Sequence, residues 1–122
     1  MSQRPLLRYT TTRVPSSHAG VYALSGKLTG DRDSYALLDA ITADLEDGLR
    51  HVVLDLEALE FSNSSGLGII ASIYNLAHAR DGKLVLVGAN DRVRLSLEII
   101  RLSQLVGHAR SVEDALLQLP DA

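Results

Sequence analysis

The hydrophobic and polar positions of the chain divide it into short strand-like and helix-like segments. Residues 6–14 and 21–24 are rich in strand-forming side chains, and the turn-forming residues 15–20 between them predict a β-hairpin. Glycine, threonine and aspartate within residues 26–31 break this pattern, so we expect the second strand to end there. Two antiparallel strands are therefore predicted before the first helix.

A helical period follows from about residue 33 to Gly48, which is placed to end the helix. The apolar residues that would form its buried stripe are Tyr35, Leu38, Ile41 and Leu45. Residues 51–56 are a nearly continuous apolar run, which predicts a central strand covered on both faces. We expect residues 58–63 to form a loop.

A second helix is predicted to begin at Ser64 or Ser65 and to end at Asp81 and Gly82. Its apolar residues on one face are Leu67, Ile70, Ala71, Tyr74 and Ala77. Residues 83–88 predict another buried strand. The middle of the chain is therefore expected to run strand, helix, strand.

Two more helices are predicted after this strand. Asn90 or Asp91 is placed to cap the first, and its apolar residues at helical spacing are Val93, Leu97 and Ile100. Ser111 opens the second with a capping-box-like pattern, while residues 108–110 are too polar to be assigned as a core strand. Helices that alternate with short buried strands predict an α/β fold with a largely parallel sheet.

Composition favours one cytoplasmic domain. With 122 residues and 46% hydrophobic side chains, the chain suits a single core, so we expect residues 1–122 to form one domain. The absence of cysteine excludes a disulfide framework and a thiolate metal site. The apolar runs are far shorter than the roughly 20 residues of a membrane helix, and the first five residues do not resemble a leader. We therefore expect no membrane span.

The distribution of charge disfavours a nucleic-acid partner. The net charge is −3, and the 12 lysines and arginines are scattered along the chain. Only Arg92, Arg94 and Arg101 come near a cluster, which we interpret as a solvated helix face rather than the basic stripe that binds nucleic acid.

The sequence FSNSSGLG, from Phe61 to Gly68, is the strongest candidate for function. It follows a buried strand and opens a helix, and binding loops of α/β sheets lie beyond the carboxyl ends of strands. Its small polar residues would let a partner approach closely, and a helix start tolerates phosphate. A phosphoserine adds about −1.5 to −2 charges, so neutral serine would permit docking and phosphoserine would block it. The alternative is a plain helix cap by Asn63 or Ser64.

Two enzymatic interpretations of this segment are disfavoured. Residues 66–71 match the dinucleotide fingerprint G-x-G-x-x-A, but that fingerprint must follow its strand almost at once. A serine-hydrolase elbow lacks its first glycine, and nothing places a histidine beside Ser64. None of the four histidines has metal-ligand spacing, and Asp31 with Asp33 suits a helix cap better than a metal. We expect no catalytic residue, cofactor or metal site.

Several pieces of the chain together resemble the STAS domain family of anti-sigma-factor antagonists. In chain order the pieces are residues 24–28, residues 54–56 with Phe61, residues 63–68, residues 82–88, residues 93–106 and residues 111–116. The resemblance spans about Tyr9 to Leu119, and its most specific part is NSSGLG at residues 63–68.

The resemblance implies one STAS-like domain with a core over about residues 9–119. It implies a mixed sheet of four to five strands with about four helices, mostly on one face. It further implies partner switching in transcription regulation: the protein binds a serine-kinase anti-sigma factor and frees a sigma factor, phosphorylation ends the binding, and a phosphatase acting on phosphoserine resets it. The phosphorylated position falls on Ser64. The implied partner-binding residues are Ser62, Asn63, Ser64, Ser65, Gly66 and Gly68.

Two positions depart from the family pattern. Asn63 stands where the family usually has aspartate, so a cap at this position carries no charge. Thr29 follows Leu28 where the family usually has aspartate, and Asp31 comes two residues later. Asn63 motivates an alternative function, a STAS interaction module without phosphorylation in a signalling or lipid-transport assembly.

Overall fold

Five β-strands and four α-helices follow one another in the computed structural model, which describes residues 6–120. The strands are β1 (Leu7–Val14), β2 (Ala19–Leu28), β3 (His51–Ser62), β4 (Leu84–Val87) and β5 (Gly107–Ala109). The helices are α1 (Arg32–Glu46), α2 (Ser64–His78), α3 (Asp91–Ile99) and α4 (Val112–Leu117). The predicted order is confirmed, and the polar segment after α3 forms the short strand β5.

The sheet is mixed, with its strands in the order β1-β2-β3-β4-β5. β1 pairs antiparallel with β2, which confirms the hairpin, and the other neighbouring pairs are parallel. Helices α1, α2 and α3 each connect two neighbouring parallel strands. These three helices therefore all begin at the edge of the sheet where β2, β3 and β4 end.

Two hydrophobic cores lie on opposite faces of the sheet. The larger core joins Leu54 of β3 to Ile41 of α1 and Ile70 of α2, and none of the three is exposed. The smaller core joins Val53 of β3 to Ala115 of α4. Because successive residues of a strand point to opposite faces, β3 contributes to both cores. The prediction of a mixed sheet with helices mostly on one face is confirmed.

Strand β3 is longer than the sequence pattern predicts, and the loop expected at residues 58–63 is wrong except at its last residue. The strand continues to Ser62 because it keeps pairing with β2, whose last residue Leu28 lies opposite. Beyond Asp55 it no longer pairs with β4, so side chains such as Glu57 face solvent. The polar side chains of this unpaired edge gave the segment the appearance of a loop.

Strand β2 also continues past the expected break. Gly26 lies within it at φ +92°, and a Cβ there would lie 2.2 Å from the carbonyl oxygen of Leu6. Lys27 donates its N–H to the same oxygen at 2.8 Å. Gly26, which in the sequence suggested the end of the strand, is therefore the residue that lets β1 approach β2.

Two apolar positions predicted to be buried lie in solvent. Tyr35 is 54% exposed because α1 turns Ser34 and Leu37 toward the core instead. Ile100 is 46% exposed because α3 ends one residue before it. The first error concerns which face of α1 is buried, and the second concerns where α3 ends.

None of the helices within residues 6–120 is long and apolar enough to cross a membrane. The expectation that the first five residues form no leader lies outside the described residues. The single-domain prediction for residues 1–122 also extends beyond them.

Candidate functional site

Three helices begin side by side at the carboxyl edge of the sheet, and each begins with a side-chain cap. The carboxylate of Asp31 accepts from Ser34 N–H at 3.0 Å at the start of α1. The amide oxygens of Asn63 and Asn90 accept from backbone N–H groups three residues later, at 2.8 Å and 2.9 Å, at the starts of α2 and α3. Each cap satisfies a backbone donor that lacks an intrahelical partner.

The β3–α2 junction exposes the serines that the sequence singled out. Ser64 and Ser65 are the first residues of α2 and are exposed, and Gly68 is exposed one turn later. Ser62 and Asn63 are half-buried, and the hydroxyl of Ser62 donates to the carbonyl oxygen of Asn63 at 3.3 Å. The helix cap by Asn63, which the residues alone suggested, is present alongside the exposed serines.

Of the six predicted partner-binding residues, only Gly66 is buried. A Cβ at this position would lie 1.9 Å from the carbonyl oxygen of Leu28 and 2.5 Å from the hydroxyl oxygen of Ser62. The N–H of Asn63 donates to the same carbonyl oxygen at 3.3 Å. Gly66 therefore acts by letting the first turn of α2 sit against the end of β2, not by presenting a surface to a partner.

The β2–α1 turn belongs to the same surface, which the sequence did not reveal. Gly30 adopts φ +78°, and a Cβ there would lie 2.5 Å from the Cβ of Ser65. The buried hydroxyl of Ser34 accepts from the N–H groups of Thr29 and Gly30 at 3.3 Å and 3.1 Å, and donates to Asp31 at 2.9 Å. The two turns thus form one continuous surface, the docking edge, which consists of residues 29–31 and residues 62–68.

The electrostatics of the docking edge favour a negative group at the start of α2. The first N–H groups of this 15-residue helix and its dipole give partial positive charge around Ser64. The first turn of α2 contains no acidic residue, whereas α1 has Asp33 in its first turn and Asp31 as its cap. A phosphate on Ser64 would therefore be stabilised by the helix start.

The structure argues against the two enzymatic interpretations. Gly66 and Gly68 lie inside α2, whereas the dinucleotide fingerprint needs its glycines in the turn between strand and helix. A serine nucleophile needs a base, but His51 Nδ1 accepts from Lys83 N–H at 3.0 Å and His108 bonds to the carbonyl oxygen of Ser103 at 2.8 Å. Neither histidine is directed to Ser64, His78 lies at the opposite end of α2, and His18 lies at the opposite end of β2 from the β2–α1 turn.

Known proteins resemble this chain in sequence and in fold. A sequence model of the STAS domain matches residues 9–115. An anti-sigma-B factor antagonist from Staphylococcus aureus is 29% identical over 83 residues, which cover 66% of this chain and 77% of that protein. The crystal structure of an anti-sigma factor antagonist from Mycobacterium paratuberculosis is 26% identical, with a TM-score of 0.78 over 94% of this chain and 95% of that one.

A further likeness concerns the fold alone. The Bacillus cell fate determinant SpoIIAA in its phosphorylated form superposes with a TM-score of 0.73 at 18% identity, over 91% of this chain and 98% of that one. The match of the STAS model over residues 9–115 covers most of the chain. The chain belongs to the STAS domain family.

Proposed function

We propose that the chain is an anti-sigma-factor antagonist that binds a serine-kinase anti-sigma factor and thereby frees a sigma factor. It would act in the cytoplasm as a single domain with a core over about residues 9–119. Phosphorylation of Ser64 by that partner would end the binding, and a phosphatase acting on phosphoserine would restore it. The observation that carries the proposal is the exposed Ser64 at the start of α2, within the docking edge.

The shape of the docking edge supports protein binding. Ser64, Ser65 and Gly68 are exposed, and their short side chains leave the backbone open to close approach. Contacts to Ser62, Asn63 and Gly66 hold this surface in place from below. The Staphylococcus aureus relative, named an anti-sigma-B factor antagonist, supports the choice of partner class.

The chemistry at Ser64 supports a switch. A phosphoserine would gain from the positive end of α2, so the free protein tolerates the modification. In the complex the same charge of about −1.5 to −2 would have to be desolvated against the partner, which costs binding free energy. Asn63 keeps the cap while it places no charge beside the phosphate. SpoIIAA, a neighbour in fold, is described in a phosphorylated form.

The direct test uses each serine-kinase anti-sigma factor of the source organism, purified and incubated with this protein and labelled ATP. We expect one of them to label the wild-type chain and the Ser65→Ala variant, and to leave Ser64→Ala unlabelled. Ser65 is the matched control because it is exposed in the same turn. Equal labelling of Ser64→Ala and wild type would remove Ser64 from this role.

Binding provides the second test. Ser64→Asp should weaken the complex by about tenfold or more, because a buried unpaired charge costs over 1 kcal/mol. Ser65→Asp should weaken it less if the contact centres on Ser64. An unchanged affinity of Ser64→Asp would contradict the proposed switch even if the wild type binds.

A second candidate function rests on Asn63. An interaction module without phosphorylation, in a signalling or lipid-transport assembly, would use the same docking edge but have no need of a kinase. Tight binding to a partner with no transfer of phosphate to wild type or to Asn63→Asp would favour this candidate over the first.

A further inference from the structure

Helix α3 exposes two large apolar side chains on the face away from the core. Val93 and Leu97 pack into the larger core, while Leu95 is 58% exposed and Ile99 is 73% exposed. Leu95 and Ile99 are four residues apart, so they form adjacent parts of one outward face, the α3 crest. Single exposed leucines are common, but a paired apolar crest is typical of a surface that another molecule covers.

Arg92 borders the crest on one side, and Arg94 lies on the other side beyond Asp91 and Glu98. Arg92 lies three residues before Leu95 and seven before Ile99, which places it on the same face of the helix. Arg94, on the other flank, lines a cleft of about 450 Å³ together with His108 and Arg110. Among residues 6–120, no acidic side chain lines this cleft.

The cationic groups of this surface have no counter-ions in the part of the chain that the structure describes. Within residues 6–120, Arg13 is the only basic residue that forms salt bridges, so the guanidinium groups of Arg92, Arg94 and Arg110 are unpaired. Residues 91–110 contain four arginines against two acidic residues, although the whole chain has a net charge of −3. The α3 crest with Arg92, Arg94 and Arg110, which we name the α3 surface, is therefore a basic region on an acidic protein.

The start of α3 lies close to the docking edge. Asn90, which caps α3, also donates its side-chain amide to the carbonyl oxygen of Leu59 at 3.2 Å. Leu59 is only three residues before Ser62, about 10 Å along an extended strand. A typical protein interface buries about 800 Å² on each partner, a patch about 30 Å across. One partner can therefore cover both regions.

We propose that the α3 surface is a second docking region for the partner that binds the docking edge, and that it receives an acidic, amphipathic segment of that partner. Apolar side chains of the segment pack on Leu95 and Ile99, and its carboxylates enter the cleft beside Arg94 and Arg110. The proposal rests on the proposed function, because it concerns the same complex. A small anion alone would leave the apolar crest uncovered.

The complementary chemistry predicts how each part contributes to the complex. The crest supplies apolar area that stays buried in the complex, so its loss should raise the dissociation rate. The arginines lie at an exposed border and attract an acidic partner over a distance, so their loss should mainly lower the association rate and its dependence on salt.

The experiment measures binding of the cognate serine-kinase anti-sigma factor to five variants of the full chain. Leu95→Ser and Ile99→Ser should each weaken binding by about tenfold or more. Leu117→Ser is the matched apolar control, since Leu117 is 83% exposed on α4 at the opposite face of the sheet. It should change affinity by less than about twofold. Because all three side chains are exposed, the variants should unfold at the same temperature as the wild type.

The fourth variant tests charge. Arg94→Glu should lower the association rate about tenfold at low salt and flatten its salt dependence, while Arg80→Glu, at an exposed site after α2, should change it far less. Retention of wild-type binding by Leu95→Ser, Ile99→Ser and Arg94→Glu would overturn the inference and leave the proposed function standing. Failure of the wild type to bind any serine-kinase anti-sigma factor would overturn both.

If a second copy of the chain or a membrane covers the α3 surface instead, other measurements show it. A dimer of the wild type in light-scattering measurements that Leu95→Ser disperses would assign the crest to a second copy and overturn the inference. Flotation with phosphatidylserine vesicles that Arg94→Glu and Leu95→Ser abolish would assign the surface to a membrane and overturn it in the same way.

Discussion

The carbonyl oxygen of Leu28 and the α-carbon of Gly66 approach so closely that no side chain fits between them. A Cβ at Gly66 would lie 1.9 Å from that oxygen. Leu28 ends β2 and Gly66 lies in the first turn of α2, so this approach sets the distance between the two turns of the docking edge. Around Gly68, two residues later, no atom of residues 6–120 outside the adjacent helix backbone lies within 4 Å of the place where its Cβ would lie.

We predict that Gly66→Ala destabilises the protein by about 1–3 kcal/mol, because the added methyl group must displace the end of β2. Gly68→Ala should instead stabilise it by up to about 1 kcal/mol, because alanine favours a helix interior over glycine. Urea unfolding of both variants and the wild type checks this pair. Equal stability of Gly66→Ala and wild type would show that the approach to Leu28 relaxes without cost.

A separate prediction concerns the effect of Gly68 on the affinity for the partner. The fold gains nothing evident from a glycine at this exposed helical position, and under the proposed function the glycine would let a partner's backbone approach α2. Gly68→Ala should therefore weaken partner binding by about tenfold while it stabilises the free protein. Titration calorimetry with the anti-sigma factor measures the affinity. An unchanged affinity would place the partner away from this turn of α2.

Asn63 is predicted to act as a cap independently of any partner. Asn63→Ala should cost about 1 kcal/mol of stability, because the N–H of Gly66 loses its acceptor at 2.8 Å. Asn63→Asp keeps the acceptor and adds a negative charge at the helix start, which should stabilise the protein by about 0.3–1 kcal/mol at low salt. Asn75→Ala, at an exposed site in the same helix, is the control and should have little effect. A stability loss in Asn63→Asp would contradict this account.

The sequence predicted the order of elements because the buried strands and helix caps have local signals. It missed the outer half of β3, since residues 57–62 pair with one neighbour only and their exposed side chains are polar. It chose Tyr35 over Leu37 for the core because both fit a helical period, and only packing against the sheet decides between them.

The candidate site, like the fold, was predicted in part from the sequence. The serines of the β3–α2 junction carry a local signal, namely small polar residues between a buried strand and a helix. The contact between Gly30 and Ser65 carries none, because residues 35 positions apart meet only once β2 and β3 pair in parallel. Gly30 lies two residues beyond β2, and its place at the site can be recognised only after the strand order is known.

Tyr22 and Asp44 tie β2 to α1 through a hydrogen bond of 2.5 Å between the phenol and the carboxylate. Burial, helped by this bond, raises the pKa of Tyr22 well above its ordinary value. Arg13 of β1 donates to the other oxygen of Asp44 at 2.8 Å, so three elements meet at one carboxylate. We predict that Asp44→Ala costs about 1–3 kcal/mol, because it leaves a buried hydroxyl without a partner.

Urea unfolding with a double-mutant cycle checks this prediction. Tyr22→Phe should cost about 1 kcal/mol in the wild type and less in the Asp44→Ala background, since the hydroxyl has lost its partner there. Asp39→Ala, an exposed site on the same helix, should change stability by less than about 0.5 kcal/mol. Additive costs for Tyr22→Phe and Asp44→Ala would show that the hydrogen bond contributes nothing.

We expect the buried His51 to make the stability of the protein depend on pH. The residue is 2% exposed, and its Nδ1 accepts from Lys83 N–H at 3.0 Å, which requires an unprotonated Nδ1. Burial first, and then the positive charges of Arg50, Lys83 and His18, lower the pKa of His51 below its ordinary value of 6.5. The unfolded chain takes up a proton as the pH falls through 6.5 while the folded protein resists it.

The free energy of unfolding should therefore fall by up to about 1.4 kcal/mol per pH unit as the pH falls below 6.5, and His51 should contribute no slope above that value. His51→Asn removes the titration while its amide oxygen takes the place of Nδ1 as acceptor. We expect this variant to lose part of the acid-side slope in urea unfolding between about pH 5 and about pH 8. His78→Asn, an exposed histidine stacked on Tyr74, should keep the wild-type slope. Equal slopes in His51→Asn and wild type would show that another group governs the acid sensitivity.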